Sequence, residues 1–431
     1  MSTVLPEADW TKRADLAALL AALGPGNARF VGGAVRDTLL GLAVKDIDLA
    51  TPLEPREVMR RLKAQRIQVV PTGIDHGTVT AISAGGPVEI TTLRHDLSTD
   101  GRRTTVAFAS DWQDDAARRD FTINALYADP VSGEIWDYFG GLDDLAARRV
   151  RFIGEARERI REDHLRILRY FRFQARFGSQ PADDASENAC AELAATLKGL
   201  SRERVGMELT NLLALPDPAP TVARMAELGV LRVVLPEADP AALAALVAQE
   251  TKQGVAPDPI RRLAALLPAD VALAEQIAAR FRLSGAQKKR LALAAGRNQI
   301  LPETWRGTSA AGGGGSPHDA TSRQDANPHH HPADGPPPRT GEDQARTFAY
   351  YLGLTAAIDR LLLTGHSIAP LTGWTIPTFP LKGGQIVARG IKAGPDVARI
   401  LHAVEDRWVA ESFPDEARVW AILGEQISRK V

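Results

Sequence analysis

The spacing of hydrophobic and polar positions differs between the first part of the chain and the rest. Up to about residue 147, short runs rich in Val, Ile and Thr are interleaved with segments of helical period. The runs DIDLAT, HGTVTAI and VEITTLR partly alternate apolar and polar residues, which predicts strands. The segments AVRDTLLGL and EPREVMRRLKAQR carry apolar residues at helical spacing. This part of the chain is therefore predicted to be a mixed α/β domain.

From about residue 155 the helical period continues along the chain, which predicts an all-α region. Residues 307–345 interrupt it, because they are rich in Gly, Pro, Ser and His and contain almost no apolar residues. Such a segment buries too little surface to order itself, so we predict a disordered insertion in which His329, His330 and His331 have no structural or catalytic role. The predicted order is an N-terminal helix (1–25), the α/β domain (26–147), helical regions at 148–230 and 231–306, the insertion (307–345) and a last helical region (346–431).

Composition narrows the class of protein and its compartment. The 431 residues are 44% hydrophobic and 24% charged, which is ordinary for a globular protein. We find no run of about 18 apolar residues and no signal peptide, so we expect no membrane partner. Cys190 is the only cysteine, which excludes an intramolecular disulfide and favours a reducing, cytoplasmic location.

Local charge is more informative than the formal net charge of −1. Residues 148–176 are dense in arginine, and a local basic surface binds phosphates even where the total charge balances. The same pattern is typical of a solvated helix with Arg–Glu pairs, so both interpretations are open at this stage.

Two aspartates and two glycines near the N-terminus suggest a site for a phosphate and a metal ion. Asp46 and Asp48 lie in a predicted strand, where residues two apart point to one face. Mg²⁺ readily bridges such carboxylates to the phosphates of a nucleotide. Gly32 and Gly33 lie between a strand and a helix, where missing Cβ atoms let a phosphate approach the backbone N–H groups. Each signal is weak alone, but together they suit a nucleoside triphosphate.

The segment VGGAVRDTLLGLAVKDIDLAT resembles the first motif of the class II tRNA nucleotidyltransferases and bacterial poly(A) polymerases, in the polymerase-β superfamily. Later motifs of this family are also similar and occur in order between residues 27 and 215. The resemblance implies an α+β protein with a polymerase-β-like nucleotidyltransferase head, followed by an all-α neck, body and tail. The similar segments are RRDFTINAL (118–126), WDYFGGLDDLAARRVRFIG (136–154), EDHLRILRYFRF (162–173), SRERVGMELTNLL (201–213) and, more weakly, FPLKGGQIVARGIKAGPDVARIL (379–401).

The resemblance implies roles for residues of the head. Asp46 and Asp48 would hold Mg²⁺, and Gly33 and Arg36 would hold the triphosphate. Glu89 is a candidate third carboxylate, with an outward-facing strand glutamate as the alternative. Arg119 would contact the ribose or phosphates. Asp120 would contact the ribose or cap a helix formed by FTINAL.

The segment 162–173 resembles the nucleotide-selecting helix of this family, in which an Asp and an Arg take the place of a template base. The resemblance assigns these roles to Asp163 and Arg166, which offer acceptors and donors to the edge of cytosine or adenine. On one continuous helix the two would be neighbours, so a plain ion pair is the alternative. Arg169 is expected near the nucleotide phosphates. Arg172 lies roughly opposite Asp163 on an ideal helix and is expected to brace head against neck.

The implied function is a CCA-adding enzyme that transfers CMP twice and AMP once to the 3′ end of tRNA and releases pyrophosphate. Its partners would be CTP, ATP and the acceptor–TΨC arm of tRNA, with no DNA. A polar loop at 95–117 and the segment PTGIDHGTVTAI favour this activity over a partial CC- or A-adding enzyme or a poly(A) polymerase. A small-molecule nucleotidyltransferase and a binding module with a decayed site are further alternatives. Gly140 and Gly141 would form a hinge between head and neck or a tight turn.

Overall fold

The computed structural model describes residues 3–100, 103–108, 111–298 and 341–428, with the backbone alone for 95–107. Among these residues the chain divides into two compact units, Met1–Pro240 and Ala241–Val431. The first unit contains the sheet and a set of helices, and the second contains helices. The predicted α+β class, with an α/β head followed by all-α regions, is confirmed.

The head is built on a seven-stranded sheet with the order β3-β4-β5-β2-β1-β8-β9. Only β2 and β5 pair in parallel, and the other neighbours are antiparallel. Buried Val, Ile and Leu side chains along the strands form its core. The predicted strands near 47–51, 78–83 and 86–92 are confirmed. The strands are β1 Arg29–Val31, β2 Ile47–Thr51, β3 Gln68–Gly73, β4 Thr78–Ser83, β5 Gly86–Thr92, β8 Leu126–Ala128 and β9 Ile135–Asp137.

The predicted polar loop at 95–117 is wrong for most of its length. Two strands, β6 Arg94–Asp100 and β7 Arg103–Phe108, pair as an antiparallel hairpin, and α4 (Trp112–Ala117) follows. The register pairs Asp96 with Val106 and Thr99 with Thr104. β-Branched residues favour such pairing, and the Asp-Gly dipeptide at 100–101 is a strong hairpin signal that the sequence reading missed.

Four further helices belong to the head, and two of them, α2 and α3, pack on its sheet. The N-terminal helix is confirmed but is shorter than 1–25, and it buries Leu16, Leu19 and Leu23 where it packs against α3. The short helix predicted for FTINAL is wrong. A single 3₁₀ turn at Thr122–Asn124 leads into β8, because Leu126–Ala128 pair with β1 and β9. The helices are α1 Ala14–Leu23, α2 Gly33–Leu39, α3 Pro55–Ala64 and α5 Gly141–Ala146.

Gly140 and Gly141 form a tightly held turn before α5. Gly140 has a φ of 75°, in the left-handed region that favours glycine. A Cβ on Gly141 would lie 2.3 Å from the carbonyl oxygen of Thr122. The Asp137 carboxylate accepts hydrogen bonds from the N–H groups of Phe139, Gly141 and Leu142. These contacts account for both glycines as turn residues, and the hinge stays a prediction.

The helices that follow the head in the first unit pack around aromatic side chains of α7. Tyr170 stacks on Phe152 with ring centroids 5.7 Å apart, and Phe121 lies 5.0 Å from Phe173. The helix predicted at 162–173 is not continuous, because residues 163–165 lie between α6 and α7. The helices are α6 Ala156–Glu162, α7 Arg166–Phe177, α8 Asp184–Glu192, α9 Arg202–Leu213, α10 Ala219–Glu227 and α11 Val230–Val234.

The described part of the second unit is helical, as predicted for its sequence. A cluster of buried apolar side chains around Ile400, Trp408 and Ile422 forms one core. Residues 341–345, predicted to end the insertion, lie in the first turns of α16, while 307–340, including the histidine triplet, lie outside the described residues. The helices are α12 Pro240–Lys252, α13 Pro259–Leu266, α14 Val271–Arg280, α15 Gly285–Ala295, α16 Gly341–Leu352, α17 Leu354–Leu363, α18 Gly383–Val387, α19 Pro395–Ala410 and α20 Glu416–Ser428.

Candidate active site

A polar cleft of about 650 Å³ lies between the head sheet and the helices α7 and α9 of the same unit. Its volume is in the range of pockets that hold a nucleotide-sized ligand. Residues from four of the motif segments meet here, although these segments are spread along the sequence from Gly32 to Glu208. The lining includes eight predicted site residues: Gly33, Arg36, Asp48, Arg119, Asp120, Asp163, Arg166 and Arg169.

The carboxylates of the head lie on one face of the sheet. Asp48 in β2 is the register partner of Glu89 in the parallel strand β5, and Asp46 directly precedes β2. Burial, and then the charges of Glu89 and Asp46, raise the pKa of Asp48 to about 6, although Arg119 opposes the shift. Glu89 is exposed and does not line the cleft, so its role as a third carboxylate stays a prediction, with an outward-facing strand glutamate as the alternative.

These carboxylates fit a divalent cation in part. Repulsion among like charges at a half-buried Asp48 is relieved when a cation lies between them. Among the residues that the structure describes, no three His, Cys, Asp or Glu side chains are placed to hold a metal ion together. A cation held by Asp46 and Asp48 would thus need oxygen ligands from the bound nucleotide, which is how proteins commonly hold Mg²⁺.

The glycine turn between β1 and α2 forms the wall of the cleft beside Asp48. Gly32 has a φ of 68°, which only glycine adopts at low cost, and Gly33 begins α2. Arg36 lies one turn further and is buried. Its Nε donates to Asp37 at 2.7 Å, and its guanidinium lies 4.0 Å over the ring of Phe177. Arg36 is therefore fixed in place at the cleft, with a carboxylate partner that the sequence did not predict.

Arg118 and Arg119 present two guanidinium groups to the cleft from the end of α4. Both contact the buried carboxylate of Asp115, at 2.7 Å and 3.3 Å. Arg119 also donates from Nε to the Tyr127 hydroxyl at 3.2 Å. The pair supplies a fixed positive surface of the kind that binds phosphates.

Asp120 is buried where the head meets α7. Its Oδ1 accepts from the N–H of Phe121 and from Asn124 Nδ2, both at 2.9 Å, and its Oδ2 accepts from Arg169 Nε at 2.9 Å. Burial alone would raise the pKa of Asp120, but the Arg169 charge and these hydrogen bonds hold it below its ordinary value. Asp120 thus ties a neck arginine to the head, and it caps no α-helix.

Asp163 and Arg166 both reach the cleft, but they do not share a helix. Asp163 ends α6 with an extended backbone, and Arg166 begins α7. Asp163 accepts from Arg204 at 2.9 Å and from the N–H of Leu165 at 3.1 Å. Arg166 donates to Glu162 and, at 2.8 Å, to the carbonyl of Arg159. The ion pair between positions 163 and 166 is not among the described contacts, because each side chain has other partners.

Arg169 and Arg172 have partners that differ from those expected, although Arg169 does line the cleft. Arg169, expected at the phosphates, binds Asp120 and so connects neck to head. Arg172, expected to brace the head, donates to Glu208 of α9 at 2.7 Å and so connects two neck helices. The break at 163–165 is the reason, because the rotation counted from Asp163 on one continuous helix does not apply.

Several lining residues were not singled out from the sequence. Arg118 is the first residue of the RRD motif, and Asn124 lies within FTINAL. Arg204, Met207 and Glu208 lie in SRERVGMELTNLL, which was recognised as a segment without roles for its residues. The sequence does carry a signal for the residues of α9, because its charged residues are spaced about one helical turn apart.

The head sheet, the glycine turn, the D-x-D pair and the arginine-lined cleft define a nucleotidyltransferase of the polymerase type. Residues 28–151 match the family described as "Poly A polymerase head domain", and residues 183–242 match "Probable RNA and SrmB- binding site of polymerase A". CCA tRNA nucleotidyltransferase 1, mitochondrial, of Homo sapiens is 32% identical over 394 residues, which cover 90% of this chain and 84% of that protein. The chain belongs to the class II CCA tRNA nucleotidyltransferase family, whose members depend on a divalent metal.

Other relatives agree with this assignment. The CCA-adding enzyme of Oceanobacillus iheyensis is 45% identical over 185 residues, which cover 42% of this chain and 45% of that protein. The CCA-adding enzyme of Bacillus stearothermophilus in complex with CTP shares the fold, with a TM-score of 0.66, 24% identity and coverage of 96% of this chain and 98% of that chain. The Thermotoga maritima CCA-adding enzyme complexed with tRNA also shares it, with a TM-score of 0.64, 19% identity and coverage of 94% and 92%.

None of the described helices is both long enough and apolar enough to cross a membrane.

Proposed function

We propose that this chain adds C, C and A to the 3′ end of tRNA, using CTP and ATP, releasing pyrophosphate and using no nucleic-acid template. The observation that carries the proposal is the meeting of Asp163 and Arg166 with Asp48, Gly33 and Arg119 in one cleft. The first two residues offer hydrogen-bonding groups to a base, and the others offer groups to a metal ion and to phosphates. The cleft therefore offers groups for the base and for the metal-bound triphosphate of a nucleotide.

The reaction joins the 3′ hydroxyl of the RNA to the α-phosphorus of the nucleotide, and the bond to the pyrophosphate breaks. Asp46 and Asp48 are proposed to hold Mg²⁺, which when bound supplies neutralisation of the leaving pyrophosphate and activation of the attacking hydroxyl. Glu89 is proposed as the third carboxylate on the same face of the sheet. Catalysis of this kind consists mostly of positioning and charge stabilisation.

The triphosphate is proposed to lie along the wall formed by Gly33, Arg36 and Arg119. Gly33 lets a phosphate approach the backbone, while the two guanidinium groups are held in place by Asp37 and Asp115. A guanidinium whose position is already fixed loses little conformational entropy when it binds a phosphate oxygen. Asp120 and Arg169 are proposed to set the position of the neck at the ribose, and Arg172 acts within the neck.

Choice of base is proposed to rest on Asp163 and Arg166. Cytosine and adenine each present an exocyclic amino donor beside a ring nitrogen acceptor. A carboxylate accepts from the amino group and a guanidinium donates to the ring nitrogen, so this pair of residues recognises both bases. Uracil and guanine present an oxygen in place of that amino group, which a carboxylate repels.

The RNA partner is proposed to be tRNA, held by the helical regions through shape and backbone contacts. The name of the human relative specifies a tRNA substrate. In this chain Lys382, Arg389 and Lys392 are exposed around α18 and the start of α19, which suits contacts to RNA phosphates. A cytoplasmic location also stays a prediction, since the human relative is a mitochondrial protein by name.

The test uses the full chain, Mg²⁺ and a tRNA transcript that lacks its 3′ CCA, with products separated at single-nucleotide resolution. CTP alone should extend the RNA by two residues, and CTP with ATP should add one more. A long ladder with ATP alone would instead establish a poly(A) polymerase. Extension that stops after two C residues in both mixtures would establish a partial enzyme.

A further inference from the structure

The carboxylate of Asp115 lies behind the two arginines that follow α4, and only its contact with Arg119 has entered the proposed function so far. Asp115 is only 1% exposed, and it is not among the residues that line the cleft. A carboxylate that is buried beside a nucleotide cleft without facing it needs a reason, because burying a charge is unfavourable unless the charge is paired.

Each oxygen of Asp115 has its own set of partners. Oδ1 accepts from Arg118 Nε at 2.8 Å and from the backbone N–H of Arg94 at 3.4 Å. Oδ2 accepts from the Tyr127 hydroxyl at 2.6 Å and from Arg119 Nη2 at 3.3 Å. One buried carboxylate therefore contacts both cleft arginines, the first residue of the β6–β7 hairpin and a strand of the central sheet.

Tyr127 completes the arrangement on the Arg119 side. Its hydroxyl donates to Asp115 and accepts from Arg119 Nε at 3.2 Å, so it links the two charged groups. Burial, reinforced by the charge of Asp115, raises the pKa of Tyr127, which keeps the hydroxyl protonated as this link requires. Trp112 packs against the Tyr127 ring at 5.8 Å and shields the cluster.

We infer that Asp115 is a positioning residue that presents Arg118 and Arg119 together to the triphosphate and to the pyrophosphate product. The inference rests on the proposed function, and it adds Arg118 as a phosphate ligand. The carbonyl groups of Arg118 and Arg119 accept hydrogen bonds from Arg159, so the backbone of this pair is also held by the neck. Asp115 restrains the side chains, while the neck restrains the main chain.

Two effects of removing the Asp115 charge oppose each other. The negative charge weakens the attraction of the two arginines for phosphate, whereas its hydrogen bonds hold them in the binding geometry. The guanidinium groups are mostly enclosed, with side chains 15% and 18% exposed, so they would pair elsewhere or reorient without Asp115. We therefore expect the loss of geometry to exceed the gain in attraction.

The test compares Asp115→Asn with Asp114→Asn, the same change at the exposed neighbouring position of the same helix. Asp115→Asn should raise KM for CTP and for ATP alike by about tenfold, with kcat changed much less, since charge-assisted hydrogen bonds have about this value. The inhibition constant of pyrophosphate should rise in parallel, and the order C, C, A should persist. Asp114→Asn should match the unmodified chain.

If Asp115 has a purely structural role, Asp115→Asn will lower the melting temperature and leave KM and pyrophosphate inhibition unchanged. That result would overturn the inference, and so would a lower KM. Tyr127→Phe provides a second test that keeps the ring in the core and removes only the hydroxyl link. It should raise both KM values in the same direction, by less than Asp115→Asn. Direct binding of pyrophosphate by calorimetry measures the phosphate contact even if the chain adds a different nucleotide, so it separates this inference from the proposed function.

Discussion

Asp163 and Arg204 form an ion pair of 2.9 Å across the cleft, between the end of α6 and the first turns of α9. The pair orients a carboxylate that stands outside any helix and has one further contact, to the N–H of Leu165. Arg204→Ala should therefore leave Asp163 less well oriented and raise the misincorporation of UTP and GTP by several-fold. Stability should change by less than about 1 kcal/mol, because both side chains are partly exposed. Single-nucleotide extension with each of the four nucleotides measures the first effect and thermal unfolding the second. Unchanged discrimination would contradict this role for Arg204.

Asp48 is predicted to destabilise the metal-free protein at neutral pH. Its pKa of about 6 exceeds the ordinary value of 3.8, so Asp48 binds its proton more tightly in the folded state than in the unfolded state. Stability of the metal-free protein should thus fall as pH rises from about 4 through about 6. Asp48→Asn should remove this component and stabilise the metal-free protein at pH 7 by about 1–3 kcal/mol, while it abolishes activity.

Thermal unfolding in EDTA across this pH range measures the effect of Asp48. Asp46→Asn is the matched control, because Asp46 is exposed and its neutralisation should change stability little while it also removes activity. Equal stabilities of the two variants at pH 7 would argue against the buried charge at position 48.

Glu208 is predicted to be a structural carboxylate of the neck. It is buried, and it contacts Arg172 at 2.7 Å and Arg169 at 3.9 Å. Glu208→Ala leaves two arginines without this partner and should cost about 3–5 kcal/mol. Glu227→Ala, which removes an exposed partner of Arg224, should cost less than about 1 kcal/mol. Urea unfolding of the two variants measures the difference, and a similar small loss in both would show that Glu208 is not needed by the neck.

The two glycines before α5 should differ in their tolerance of alanine. Gly140→Ala places a Cβ at a positive φ and should cost about 1–2 kcal/mol. Gly141→Ala forces a Cβ against the Thr122 carbonyl and should cost more. Thermal unfolding gives this order directly. If Gly141→Ala were as stable as the unmodified chain but slower in switching from C to A addition, the hinge rather than the turn would be the main role.

The sequence predicted the head best where short-range signals agree with tertiary structure. The strands at 47–51, 78–83 and 86–92 are rich in β-branched residues. The strand with the D-x-D pair packs apolar side chains into the core on one face and presents Asp48 to the cleft on the other. The two strands between residues 94 and 108 were not predicted, because the segment is polar overall, although its Thr and Val residues favour strands. The segment FTINAL was predicted to be a helix, but it forms a 3₁₀ turn that leads into β8, because Leu126–Ala128 pair with β1 and β9.

The sequence predicted which residues belong to the candidate site, but not which of them contact one another. Eight of the predicted residues line the cleft, because they belong to the motif segments that come together there. The partners of Asp163, Arg166 and Arg169 depend on the break between α6 and α7. The sequence EDHLRILRY has no proline or glycine to mark that break, so an unbroken helix was the natural prediction. Asp115 lies behind the cleft and Glu208 lines it, and the partners of both are far away in sequence or on another element, where short-range patterns carry little information.

The most direct test of the account is nucleotide choice by Asp163→Ala, assayed with a tRNA transcript lacking CCA and each of the four nucleotides in turn. The account predicts that transfer persists at a reduced rate and that the preference for CTP and ATP over UTP and GTP is largely lost. A variant that retains the full preference would contradict the claim that Asp163 takes the place of a template base.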